Sequence, residues 1–135
     1  MLKDISHVAI AVSNLDRACD FYRDVMGGEI VNRHRVEHQK VEVAFVKFGG
    51  HTKIELISPT MEDSPVGRFL AKHGPGLHHL CFETDSIEDQ MAFLEDHGVK
   101  LIDKSPRPGA EGDRIAFLHP TSTLSTLIEI SEPAR

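Results

Sequence analysis

His7, Glu55, His79 and Glu129 are the residues whose types and spacing could do chemistry together. His7 opens the alternating stretch His7-Val8-Ala9-Ile10, and His79 opens His79-Leu80-Cys81-Phe82, displaced by 79 − 7 = 72 residues. Glu55 lies in Ile54-Glu55-Leu56 and Glu129 in Ile128-Glu129-Ile130, displaced by 129 − 55 = 74. Imidazole nitrogens and carboxylate oxygens are ligands for divalent ions, and two of each would leave coordination positions open. Alone, a strand histidine is more often a hydrogen-bonded structural group, and a strand glutamate is usually solvated. What marks a site is the constellation, because the same His/Glu pair occurs twice.

The elements that must position these residues also read as one module written twice. Asn14-Leu15-Asp16 meets Ser86-Ile87-Glu88, and Ala44-Phe45-Val46 meets Ala116-Phe117-Leu118, at the same displacement of 72. A strand over 5–12 puts Val8, Ile10 and Val12 on one face and His7, Ala9 and Ala11 on the other. Ser13 or Asn14 can cap a helix over about 14–26, with Leu15, Ala18, Tyr22, Val25 and Met26 at helical spacing and Gly27-Gly28 as its stop. Strands are predicted at roughly 29–36, 40–48 and 52–57. Module 1 thus spans about 5–58. A connector over 59–76 has its own short helix, opened by Ser64-Pro65 and ended by Gly74. Module 2, about 77–131, restarts with a strand at 77–84 and a helix capped by Ser86, with Ile87, Met91 and Leu94 inward and Gly98 as its stop. Strands follow at about 99–103, 114–118 and 125–131, and the Pro/Gly stretch 105–113 is a candidate mobile rim.

Strand parity acts as a filter on this pattern. Leu80 and Phe82, Ile54 and Leu56, and Ile128 and Ile130 belong under helices, so His79, Glu55 and Glu129 turn the other way, as His7 does. His78 points with Leu80. The expected architecture is α+β, a single domain over 1–135 whose two tandem β-α-β-β-β modules form one curved-sheet cup lined by His7, Glu55, His79 and Glu129. Four ionisable groups there must be paired or coordinated, since each left buried alone costs several kcal/mol. The expected cofactor is one divalent ion. Glu42, in the apolar run Val41-Glu42-Val43-Ala44-Phe45, has Arg114 as its repeat partner. It reads either as a solvent-facing edge residue or, on the inward parity, as a general base. The histidines at 34, 38, 51, 73, 97 and 119 read as surface or loop residues, with His119 nearest the rim.

Composition narrows the partners. A chain of 135 residues with 40% hydrophobic and 27% charged residues is that of a soluble globular domain, large enough for its own core. A net charge of −6 argues against nucleic acid. With no apolar run for a membrane and no leader pattern, a cytoplasmic location is expected. Cys19 and Cys81 lack CxxC spacing, fall in different modules and have opposite parity, so two buried thiols are expected rather than a disulfide.

The sequence resembles the vicinal oxygen chelate (glyoxalase/bleomycin resistance) superfamily and, within it, the methylmalonyl-CoA epimerases, over about residues 5–131. The motifs that carry the resemblance are Ser64-Pro65 through Gly76-Leu77-His78-His79, Arg107-Pro108-Gly109-Ala110 and Ala116-Phe117-Leu118-His119-Pro120. The resemblance implies metal ligands at His7, Glu55, His79 and Glu129, with an unspecified divalent ion among Co, Mn, Ni, Zn and Mg. It implies proton-transfer roles for Glu42 and Glu129, an acyl-CoA substrate epimerised at its α-carbon, and a homodimer. A glyoxalase I-like isomerase of a glutathione thiohemiacetal and a non-catalytic drug-sequestering protein share the fold and remain alternatives.

Overall fold

In the computed structural model, which describes residues 1–135, the predicted strands and helices form where apolar periodicity and caps direct them. The elements are β1 (Leu2–Ala11), α1 (Leu15–Asp20), β2 (Glu29–Val36), β3 (Val41–Lys47), β4 (Lys53–Pro59), α2 (Pro65–His73), β5 (Gly76–Thr84), α3 (Ile87–Asp96), β6 (Arg107–Pro108), β7 (Arg114–Leu118) and β8 (Ile128–Glu132). This is the α+β class with a β-α-β-β-β order in each half. The chain divides into two compact units, His7–His78 and Met1–Ser6 with His79–Arg135, called here the first and second units. No helix is long and apolar enough to cross a membrane.

In the first unit the strand order is β2-β3-β4-β1. β3 is antiparallel to both β2 and β4, and β1 runs parallel to β4. Asn14 caps α1 by accepting the Arg17 N–H, and α1 lays Leu15 and Cys19 on Ala44, Val46 and Leu56. The predicted helix over 14–26 is not α-helical throughout, because Phe21–Val25 is a π-helical turn. The extra residue in that turn rotates Val25 and Met26, expected inward, out to solvent. Ser64 caps α2, accepting the Gly67 N–H at 3.0 Å and donating to the Met61 carbonyl at 2.6 Å.

The second unit is ordered β5-β8-β7-β6, with β5 parallel to β8 and the other pairs antiparallel. Ser86 caps α3, which packs Ile87 and Met91, with part of Leu94, on Leu101, Ala116, Leu118 and Ile130. The strand predicted at 99–103 is reduced to one bridge, Leu101 with Leu118. The Phe117 N–H, which a longer ladder would give to a backbone carbonyl, goes instead to Asp103 Oδ2 at 2.8 Å. Residues 105–113, the candidate mobile rim, contain β6, which pairs with β7. β8 starts at Ile128 rather than 125, since Leu124 and Ser125 take left-handed backbone angles that no strand accepts.

Leu56 is fully buried in the first unit's core, so Leu56→Ala should cost about 2–5 kcal/mol. Leu124→Ala, at a fully exposed position, should change stability by less than about 0.5 kcal/mol, and denaturant titration of both variants checks the pair.

Candidate functional site

Each unit holds a histidine against a carboxylate on the sheet face turned away from its helix. In the first unit Ala9 of β1 and Phe45 of β3 both stand in register with Glu55 of β4. Because Ile10, Ile54, Leu56, Ala44 and Val46 pack toward α1, the alternate residues His7, Glu55 and Phe45 share the opposite face. His7 Nε2 lies 3.3 Å from Glu55 Oε1, and both side chains are only 6% exposed. The Phe45 ring stands edge-on to His7, centroids 5.8 Å apart at 80°.

The second unit repeats the arrangement. Cys81 of β5 and Phe117 of β7 are in register with Glu129 of β8. His79 Nε2 lies 3.2 Å from Glu129 Oε1, with 4% and 7% of the side chains exposed. Phe117 stands edge-on to His79 at 5.4 Å and 84°. His78, by contrast, packs against Phe69 at 4.8 Å, as alternation requires. A buried imidazole nitrogen and carboxylate oxygen at this separation form a ready pair of donors for a divalent ion, and their burial demands such compensation.

A cation completes each pair and was not legible in the sequence. Lys53 Nζ lies 5.7 Å from the Phe45 centroid, and the Arg107 guanidinium carbon lies 5.4 Å from that of Phe117. The two are not repeat mates. Lys53 comes from the strand that carries Glu55, and Arg107 from β6 of the expected rim, so no displacement search could pair them. The matched Phe45 and Phe117 were the only signal.

The structure does not bring Glu42 to this face. Even-numbered residues of β3 point toward α1, where Ala44 and Val46 join the core. Glu42 therefore pairs with Arg33 at 3.3 Å, and Arg33 reaches Asp16 of the α1 first turn at 2.8 Å. Its inward parity as a general base is corrected by the register of β3. The pair is part-exposed and contributes at most about 1 kcal/mol.

Asp113, at the end of the Pro/Gly stretch 105–113, is a further carboxylate near this face. It has the parity of Phe117, and it stands across the hairpin from Gly109, whose N–H donates to the Asp113 carbonyl at 3.0 Å. A Cβ at Gly109 would come within 2.3 Å of Asp113 Oδ1 and 2.7 Å of Ile115 Cγ2, so only glycine lets this carboxylate tuck in. Burial, then the charges of Glu129 and Glu111, push its pKa up to about 6 against backbone N–H bonds that lower it. Burial and Glu129 likewise push the Cys81 thiol up. Cys81 and Cys19 are buried free thiols, neither activated.

The chain matches the family model of the Glyoxalase/Bleomycin resistance protein/Dioxygenase superfamily over residues 6–117 and belongs to that superfamily. Within it, the chain is 39% identical to the mitochondrial methylmalonyl-CoA epimerase of Dictyostelium discoideum, covering 95% of this chain and 77% of that one. It is 44% identical to the uncharacterized protein YqjC of Bacillus subtilis over 96% of this chain and 91% of that one. Among solved structures, a variant of Streptomyces coelicolor methylmalonyl-CoA epimerase in complex with 2-nitronate-propionyl-CoA superposes with a TM-score of 0.95 at 38% identity, all of both chains covered.

Asp113 makes stability depend on pH in a definite direction. Its folded pKa lies above the ordinary 3.8, so between about pH 4 and 6 the folded chain keeps a proton that the unfolded chain has released. Stability from this group is present below pH 4 and is lost as pH rises through 6. In metal-free protein, the stability of Asp113→Asn relative to the parent should rise across that window and level off above it. Thermal melts at half-unit pH steps read the difference, and a flat difference removes the shift.

Proposed function

We propose that this chain is a metal-dependent epimerase of a 2-methylmalonyl thioester, with methylmalonyl-CoA as substrate and one divalent ion held by His7, Glu55, His79 and Glu129. The observation that carries the reading is the buried His–carboxylate pair present in each unit with the same phenylalanine beside it. Support for the reaction comes from the similarity to methylmalonyl-CoA epimerases, one of them in complex with an acyl-CoA analogue. A soluble cytoplasmic homodimer belongs to the same reading.

Two neutral imidazoles and two carboxylates fit a hard or borderline divalent ion and balance its charge. When bound, such an ion supplies Lewis-acid polarisation of the thioester carbonyl, worth several kcal/mol for loss of the α-proton. The chain's residues do the rest. His7 and His79 must be neutral to act as ligands, and each would present its Nε2 as a donor beside a carboxylate oxygen 3.3 and 3.2 Å away. Phe45 and Phe117 pack against the two imidazoles, which are almost fully buried. Glu129 has two carboxylate oxygens: one would hold the ion and the other would accept the α-proton. Protonation of the opposite face by a water molecule, with the abstracted proton released from Glu129 to solvent, inverts the centre, and a positioned base typically contributes ~10²–10⁴-fold.

The test is direct. Purified protein loaded with Co²⁺ or Mn²⁺ should interconvert the two methylmalonyl-CoA epimers, followed by NMR in D₂O, while the hemithioacetal of glutathione and methylglyoxal should not turn over. His79→Ala should lose bound metal by elemental analysis, whereas His78→Ala should keep it. Glu42→Gln should turn over within about threefold of the parent, since that side chain faces α1. A loss of ~10²-fold in that variant, as expected of a general base, would overturn its placement outside the chemistry.

A further inference from the structure

Arg107 is held in an unusual way for an arginine of this chain. Arg114 spends both terminal nitrogens on Glu88 and Glu132, and Arg23 places its terminal nitrogen on Asp20 and Asp24. Arg107 is bound only through Nε, which donates to Asp103 Oδ1 at 2.8 Å. The other oxygen of that carboxylate accepts the Phe117 N–H at 2.8 Å, so one aspartate ties the guanidinium to the strand that carries Phe117. The guanidinium carbon lies 5.4 Å from the Phe117 centroid, and Phe117 in turn stands 5.4 Å from His79. Ring and carboxylate together immobilise the side chain, which is 38% exposed, and leave its two terminal nitrogens without a protein acceptor.

A planar guanidinium held this way is a receptor for an oxyanion. Its terminal fork matches the two oxygens of a carboxylate or phosphate, and most of the ordering cost has been met before the ligand arrives. We infer that Arg107 binds an anionic group of the substrate beside His79, and that Asp103 is the positioning residue that aims it. This rests on the epimerase reading, whose substrate offers two sources of the same chemistry, the malonyl carboxylate and the CoA phosphates.

Metal-loaded parent, Arg107→Lys, Arg107→Met and Asp103→Ala are compared, with melting temperatures as a folding control. Loss of a bidentate charge-assisted pair should raise KM for methylmalonyl-CoA about 10- to 100-fold in Arg107→Met. The increase should be smaller in Arg107→Lys, and in Asp103→Ala KM should rise with kcat nearly unchanged. A carboxylate partner keeps the penalty on methylmalonyl-N-acetylcysteamine, which has no phosphates, and loses it in α-deuterium exchange of propionyl-CoA. A phosphate partner reverses these two results. Calorimetric Kd values for malonyl-CoA read the same loss without turnover, so a parent that binds malonyl-CoA but epimerises nothing refutes the function while still testing Arg107. The inference falls if Arg107→Met stays within twofold in both KM and Kd, if all substrates suffer equally, or if the parent does not bind malonyl-CoA.

Discussion

The interaction on which the structure depends is a histidine set against a carboxylate on a sheet face where neither can reach water. His7 with Glu55 and His79 with Glu129 are each less than a tenth exposed, at 3.3 and 3.2 Å. A lone carboxylate in such a place would cost several kcal/mol, and a lone imidazole would be held neutral. Placing one beside the other lowers that cost without removing it. The remaining donor capacity of each pair is what makes it suitable for a cation.

That constraint reaches outward through the strands. Glu55 and Glu129 turn from the helices because their strand neighbours, Ile54 and Leu56 for one and Ile128 and Ile130 for the other, belong to cores built under α1 and α3. The phenylalanines in register with the two carboxylates, Phe45 and Phe117, stand nearly perpendicular to the imidazoles. An aromatic face is electronegative and attracts a cation, and perpendicular ring pairs are a favoured aromatic geometry. Lys53 and Arg107 occupy those faces from unrelated points of the chain. Equivalent electrostatics in the two units have thus been reached by different routes.

The same alternation turns Glu42 to the α1 side of β3. One residue of shift along a strand exchanges the two faces. Glu42 stands one position from Val43, and only the odd-numbered residues of β3 share a side with Phe45. Its carboxylate is spent instead on Arg33, which also meets Asp16. Asp113 lies on the parity of Phe117, and a glycine opposite leaves it room to bury. Its raised pKa follows from that burial and from the neighbouring Glu129 rather than from anything in its own loop sequence.

By itself, the sequence determined the repeated element order, the caps at Asn14, Ser64 and Ser86, and the identity of the four ligand candidates. These rest on period-two alternation, local cap chemistry and a fixed displacement, all of which are properties of neighbouring residues or of simple counting. The tertiary structure decided the rest. It opened the end of the first helix into a π turn, shortened the strand at 99–103 to a bridge, and ordered the Pro/Gly stretch through β6. It also chose which face Glu42 takes, which cation covers each phenylalanine, and how far Asp113 is buried. The reason is common to all of these: they depend on which strand lies alongside which, and at what register, and no local pattern records the partner.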